Sequence, residues 1–156
     1  MRVLLSILVV CVLFLKLSGC GKDDGPGAVA LTEAEKTTQL LTGASVDASV
    51  ADFWSVSQVL VDDLDYTENF SNFTIQFTDT GFTTTNDAVI FGDSGSWSFT
   101  DDAAQAITLD NGLVISLREL TDTSLTMEFV LDDTIYGDEG GREEAVRGTN
   151  IFIMNR

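Results

Sequence analysis

The sequence predicts an all-β fold, a small antiparallel up-and-down barrel of about eight strands with a short helix in front of it. Beyond Phe53, apolar residues recur at every second position in short runs, which is the period of a strand with one buried face. Turn signals such as Asp79-Thr-Gly81, Gly92-Asp-Ser-Gly95 and Asp110-Asn-Gly112 separate these runs, and no helix-length crossover lies between them. A last apolar run, Ile151 to Met154, is placed to pair with the first strand and close the sheet, which removes both exposed edges. A two-sheet sandwich buries the same faces and is the competing arrangement.

The elements follow in order. Thr32-Glu-Ala-Glu35 has the form of a capping box: Thr32 accepts from the backbone N–H of Glu35 while the Glu35 side chain reaches back. Leu40 and Leu41 lie toward the end of that helix, and Gly43 is suited to end it in a left-handed conformation. Trp54, Val56 and Gln58 are expected on one face of the first strand, then Phe73, Ile75 and Phe77 on the second and Phe82 to Thr85 as the third. Val89 to Phe91 reads as a short piece ahead of Trp97 and Phe99. In the second half Ala106 to Leu109 is followed by Leu113, Ile115 and Leu117, and then by Leu125, Met127, Phe129 and Leu131. Asp110-Asn-Gly112 is the tight hairpin between the first two of these runs, with Asn-Gly supplying positive φ angles.

Ahead of the barrel, residues 1–19 have the build of a secretory signal: Arg2, an apolar run from Val3 to Leu15 broken only by Ser6, then Lys16. The run is shorter than the roughly 20 residues a transmembrane helix needs. Leu17-Ser18-Gly19-Cys20 resembles the lipobox read by signal peptidase II, so cleavage before Cys20 and acylation of its thiol are expected, with the chain held on a membrane by the palmitate-type chains. Gly21-Lys22-Asp23-Asp24 resembles the surface-export signal of Bacteroidota lipoproteins, with Lys22, Asp23 and Asp24 as its charged residues. A plain solvated tether has the same composition. Residues 20–30, which include the single proline, Pro26, are expected to form a lipidated flexible tether, and residues 31–156 the one domain. The expected location is the outer membrane, facing the cell surface or the periplasm.

Composition narrows function. The chain has 25 acidic and eight basic residues and a formal charge of −17, which opposes nucleic-acid backbones and anionic lipid heads. Of its two cysteines, Cys11 leaves with the signal and Cys20 is taken by lipid, so the domain is expected to stand on packing alone. It has no histidine, and with it go the commonest general base, the imidazole ligand of zinc and every Ser-His or Cys-His nucleophile.

Taken together, Phe73-Thr-Ile-Gln-Phe77, Gly81-Phe-Thr-Thr-Thr-Asn86, Gly95-Ser-Trp-Ser-Phe99, Ile107-Thr-Leu-Asp110 and Leu120-Thr-Asp-Thr-Ser-Leu125 resemble the lipocalin-like lipoproteins of the Bacteroidota. The resemblance spans roughly Thr32 to Asn155 and implies a calycin-type barrel behind a lipobox and a polar tether. In that family a tryptophan follows closely after a Leu-Thr-Gly element, whereas here ten residues separate Leu41-Thr-Gly43 from Trp54.

Trp54, Phe77, Trp97 and Phe99 are the candidates to line an apolar pocket in the barrel, and the bland alternative is that they are core. Asp62, Asp63, Asp65 and Glu68 form one acidic cluster. Asp132, Asp133, Asp138 and Glu139 form another, with Glu143 and Glu144 behind it. Oxygen ligands of this kind suit calcium, but neither run has the D-x-D-x-D-G loop and solvated loops are their ordinary meaning, so no metal or other cofactor is expected. Asp133-Thr134-Ile135 also resembles a short O-glycosylation acceptor. The expected function is non-enzymatic: a lipid-anchored module that binds a small apolar ligand or a partner in the outer membrane. A filled, structural barrel that meets other proteins is the alternative, and a carboxylate-based glycan-acting enzyme is the third.

Overall fold

The computed structural model describes residues 30–44, 52–86, 90–132 and 147–156. The first element among the described residues is helix α1 (Glu33–Thr42), opened by the capping box the sequence predicts: Glu35 N donates to Thr32 Oγ1 at 3.2 Å and Thr32 N donates to Glu35 Oε2 at 2.7 Å. Gly43 ends it at φ 78°, where a side chain would be strained.

The strands are β1 (Trp54–Val61), β2 (Leu64–Asp65), β3 (Thr74–Phe77), β4 (Gly81–Thr85), β5 (Ser94–Phe99), β6 (Ala106–Leu109), β7 (Val114–Leu120), β8 (Ser124–Leu131) and β9 (Gly148–Asn155). Each pairs antiparallel with its neighbour in a single sheet, and β9 pairs back onto β1 from Ser55↔Asn155 to Val61↔Asn150. The result is a closed eight-stranded barrel behind a short helix, with β2 as a two-residue arm on the end of β1. A sandwich is excluded by that closing ladder.

The inward set alternates as a barrel requires. Leu125, Met127, Phe129 and Leu131 on β8 face inward beside Phe152 and Met154 on β9, and all are buried. On β1 the expected face does not run straight. A bulge between Val56 and Gln58 shifts the register, so the buried positions pass from Trp54 to Val59 and Val61, and Gln58 leaves the inner face. A second bulge between Leu117 and Glu119 ends the clean alternation of β7.

Two turns differ from expectation. Leu109 N donates to Leu113 O, so the β6–β7 loop has three residues, and only Gly112 takes a positive φ, 89°. This is the longer loop with one left-handed residue rather than a two-residue Asn-Gly turn, and Asn111 Oδ1 instead accepts from Leu113 N at 2.9 Å. The two-residue turn with both φ values positive occurs between β1 and β2, at Asp62 (47°) and Asp63 (66°). Ile90 and Phe91 lie outside any strand, and Val89 lies outside the described residues.

The sequence reading also missed the 3-10 helix Thr67–Phe70. Asp65 Oδ1 accepts from Thr67 N at 2.8 Å and from its hydroxyl at 2.6 Å, which turns the chain out of β2, and Phe70 then drops into the core. Among the described residues no helix is long and apolar enough to cross a membrane.

Candidate functional site

One end of the barrel is fastened to α1. Trp54, fully buried at the start of β1, donates its indole N–H to the Leu41 carbonyl at 3.0 Å, satisfying one of the carbonyls left open at the helix C-terminus. Over its ring lies the Arg156 guanidinium, 4.1 Å from the centroid. Arg156 also donates from Nη2 to Leu40 O and from Nε to Asp122 O, both at 2.7 Å, so one side chain ties the helix end, β9 and the β7–β8 turn together. Burial lowers the guanidinium from its ordinary value, opposed by the charges of Asp122 and Asp52. Although ten residues separate Gly43 from Trp54 in the sequence, the tryptophan packs against the helix end. Arg156 was not singled out from the sequence, because a terminal arginine carries no signal until the ladder brings it over Trp54.

The other three pocket candidates meet one another. Phe77 and Trp97 stand edge to face at 6.2 Å, and Trp97 and Phe99, two apart on β5, at 5.0 Å. The Trp97 indole N–H is shared between Thr78 O (3.0 Å) and Gly81 O (3.1 Å), which fixes the ring inside the turn that joins β3 to β4. Phe82 packs beside Phe77, and its ring lies across Gly95 of β5 so closely that a Cβ there would come within 2.8 Å of it.

A second group of rings fills another part of the barrel, and the sequence reading did not assemble it. Phe152 on β9 is its centre, with Phe70 at 5.0 Å, Phe129 at 5.4 Å, Phe91 at 5.7 Å and Phe73 at 5.8 Å. Phe91 stacks on Phe73 at 5.2 Å with 19° between the planes, and meets Phe129 edge to face at 5.5 Å. Phe70 and Phe91 come from segments outside the strands, so strand alternation does not bring them into this cluster. Among the described residues Asn150 is the one buried polar residue, and its Nδ2 donates to Gly148 O at 3.0 Å.

The acidic residues have structural work in turns. Asp62 Oδ1 accepts from Thr149 N, Asp110 Oδ2 from Ser96 N and Asp101 Oδ1 from Ala103 N, at 2.9, 3.0 and 3.0 Å. The bonds from Thr67 hold the Asp65 carboxyl below its usual range. Among the described residues no group of three or more acidic or thiol side chains could hold a metal ion. Asp132 is described, whereas Asp133, Asp138, Glu139, Glu143 and Glu144 lie outside the described residues, as do Cys20, Lys22, Asp23 and Asp24.

Fold and interior together define a class: a small closed antiparallel barrel with an N-terminal helix and an apolar core, consistent with the calycin or lipocalin-like fold in general. A comparison with protein-family models, with curated proteins and with solved structures finds no match to this chain.

Proposed function

We propose that the protein is an exported lipoprotein of the lipocalin-like kind, anchored in the outer membrane through Cys20, whose barrel is a non-enzymatic binding module for a small apolar molecule. The observation that carries the ligand reading is the barrel interior, closed around its circumference and lined by aromatic and aliphatic side chains. Such a lining offers an apolar guest burial at about 25 cal/mol per Å² and offers a charged guest nothing. The anchor rests on Leu17-Ser18-Gly19-Cys20 behind the apolar run, and export to the surface on Lys22-Asp23-Asp24. The non-enzymatic reading rests on the missing histidine and on aspartates engaged in turns.

The edge-to-face interlocking of the rings favours a second reading, a filled barrel that serves by presenting its surface to a protein partner. Two measurements on the full chain, expressed in a Gram-negative cell that processes lipoproteins, separate these. Fractionation should place the wild type with the outer membrane and Cys20→Ser in the soluble periplasmic fraction; an unchanged distribution would remove the anchor. Solvent extraction of the purified protein should release one apolar compound in near-stoichiometric amount. An empty extract from repeated preparations leaves the filled barrel.

A further inference from the structure

The β6–β7 loop carries the one Asn-Gly dipeptide in the sequence, Asn111-Gly112, a pair whose chemistry is spontaneous deamidation. In that reaction the Gly112 backbone nitrogen loses its proton to hydroxide and bonds to Asn111 Cγ. The Cγ–Nδ2 bond breaks, and Nδ2 takes a proton from water and leaves as ammonia. Water then opens the cyclic imide at either carbonyl, giving aspartate or isoaspartate, in which the main chain runs through the side-chain carbon. Glycine in the following position favours ring closure, because it has no Cβ to crowd the approach and the widest backbone freedom. Asn69, Asn72, Asn86, Asn150 and Asn155 are followed instead by Phe, Phe, Asp, Ile and Arg.

Asn111 and Gly112 are exposed, so solvent reaches them, yet each atom that has to react is already bonded. The nucleophile's N–H is donated from Gly112 to Leu109 O at 2.9 Å. The departing Nδ2 donates to Ile90 O at 3.2 Å, and Oδ1, which takes up charge as the ring closes, accepts from Leu113 N at 2.9 Å. That last bond by itself favours charge on Oδ1, but it also fixes the side chain in the turn, while the other two hold the nucleophile's proton and the leaving group. The loop is clamped beside them as well. Asp110 N donates to Ser96 O and Asp110 Oδ2 accepts from Ser96 N, both at 3.0 Å, and Leu109 and Leu113 on either side are buried. Ring closure therefore has to wait for the loop to open.

We propose that Asn111-Gly112 is a deamidation site that the fold holds shut: it converts through chains whose β6–β7 loop has opened, and conversion then keeps the loop from closing as before. The aspartate product replaces the donor to Ile90 O by a charged oxygen facing a carbonyl. The isoaspartate product lengthens the main chain of a three-residue loop, so the bond from Leu109 N to Leu113 O loses its register. The site thus keeps a chemical record of opening at this hairpin.

The test follows the full chain in mild detergent and mildly alkaline heavy-oxygen water, which labels each newly formed carboxyl, with and without urea above the unfolding transition. Peptide mass mapping reads the rate at every asparagine. Asn111 should be the first to convert in urea, and in the native protein its rate should be at least about tenfold lower, since three bonds have to open together. Asp110→Ala, which releases Ser96 N, should raise the native rate at Asn111 several-fold, whereas Asp110→Asn, which keeps an acceptor there, should leave it nearly unchanged. Asn111→Asp, which reproduces one product, should unfold at lower urea with the same slope. Equal rates in native and unfolded wild type overturn the proposal whether or not Asp110→Ala folds, and so does earlier conversion of any other asparagine in urea. A wild-type midpoint for Asn111→Asp overturns the claim that the aspartate product disturbs the loop.

Discussion

At the scale of single residues, four of the chain's 25 acidic residues serve as turn acceptors. Asp62, Asp65, Asp101 and Asp110 each accept a backbone N–H within or beside a turn, which is what short acidic side chains do well and what the barrel's many reversals need. Two other residues carry more than their size suggests. Gly95 lies under the Phe82 ring, and a Cβ there would come within 2.6 Å of Asp110 Oδ1, so Gly95→Ala should destabilise the protein by about 1–3 kcal/mol, read as a lower midpoint in urea with an unchanged slope. Trp54→Phe keeps most of the packing but loses the bond to Leu41 O and the better face for Arg156. It should cost about 1–2 kcal/mol, and in a double-mutant cycle with Arg156→Met the two losses should be non-additive.

At the scale of elements, α1 and the 3-10 helix are each started by a carboxylate that accepts from a threonine. Hydrogen bonds from Thr32 hold Glu35 below its ordinary value of about 4.5, and those from Thr67 hold Asp65 below about 3.8. A carboxyl whose folded pKa is depressed contributes its stabilisation above the unfolded value and loses it as pH falls through the folded one. Both elements should therefore loosen as the pH drops from about 5 toward 3, seen as lower amide protection factors at Glu35 and Thr67 once the intrinsic exchange rate at each pH is divided out, and Glu35→Gln should remove that pH dependence at α1 only. Elements were legible in the sequence where one rule governed them. The capping box, Gly43, the clean alternation of β8 and the closing strand read directly, because propensity, period and burial agree there. The bulge at Val56–Gln58 and the 3-10 helix did not, since a bulge leaves composition unchanged and Thr67–Phe70 is too short for any period. The candidate site was legible in part. Trp97, Phe77 and Phe99 were found through strand alternation, while Phe70 and Phe91 reach the core from irregular segments and Arg156 acts through a contact with residues more than a hundred positions away.

At the scale of the whole molecule, charge and barrel are segregated. Strands β3 to β6 carry no charged residue; among the described residues the charges lie on the helices, in turns and connecting segments, and on β2, β7 and β8, where Arg118 and Glu128 pair across β7 and β8. An excess of one sign repels itself in the compact state, and added salt screens that repulsion over a Debye length of about 10 Å at 0.1 M. Raising sodium chloride from about 0.02 to 0.5 M should therefore raise the melting temperature by a few degrees, most of it by the first 0.15 M. A fall would mean that attractive pairs such as Arg118–Glu128 outweigh the net repulsion. The interior is the apolar counterpart: its rings interlock, and one end is fastened by Trp54 and Arg156.

The most direct measurement of the central claim is native mass spectrometry of the full-length gene product, released in mild detergent from the membranes of a lipoprotein-exporting cell. The account predicts a chain that begins at Cys20, carries covalent acyl chains and holds one further small mass that leaves on collisional activation. A processed and acylated chain that is bare in repeated preparations would contradict the binding function, and a chain that still begins at Met1 would contradict the anchor.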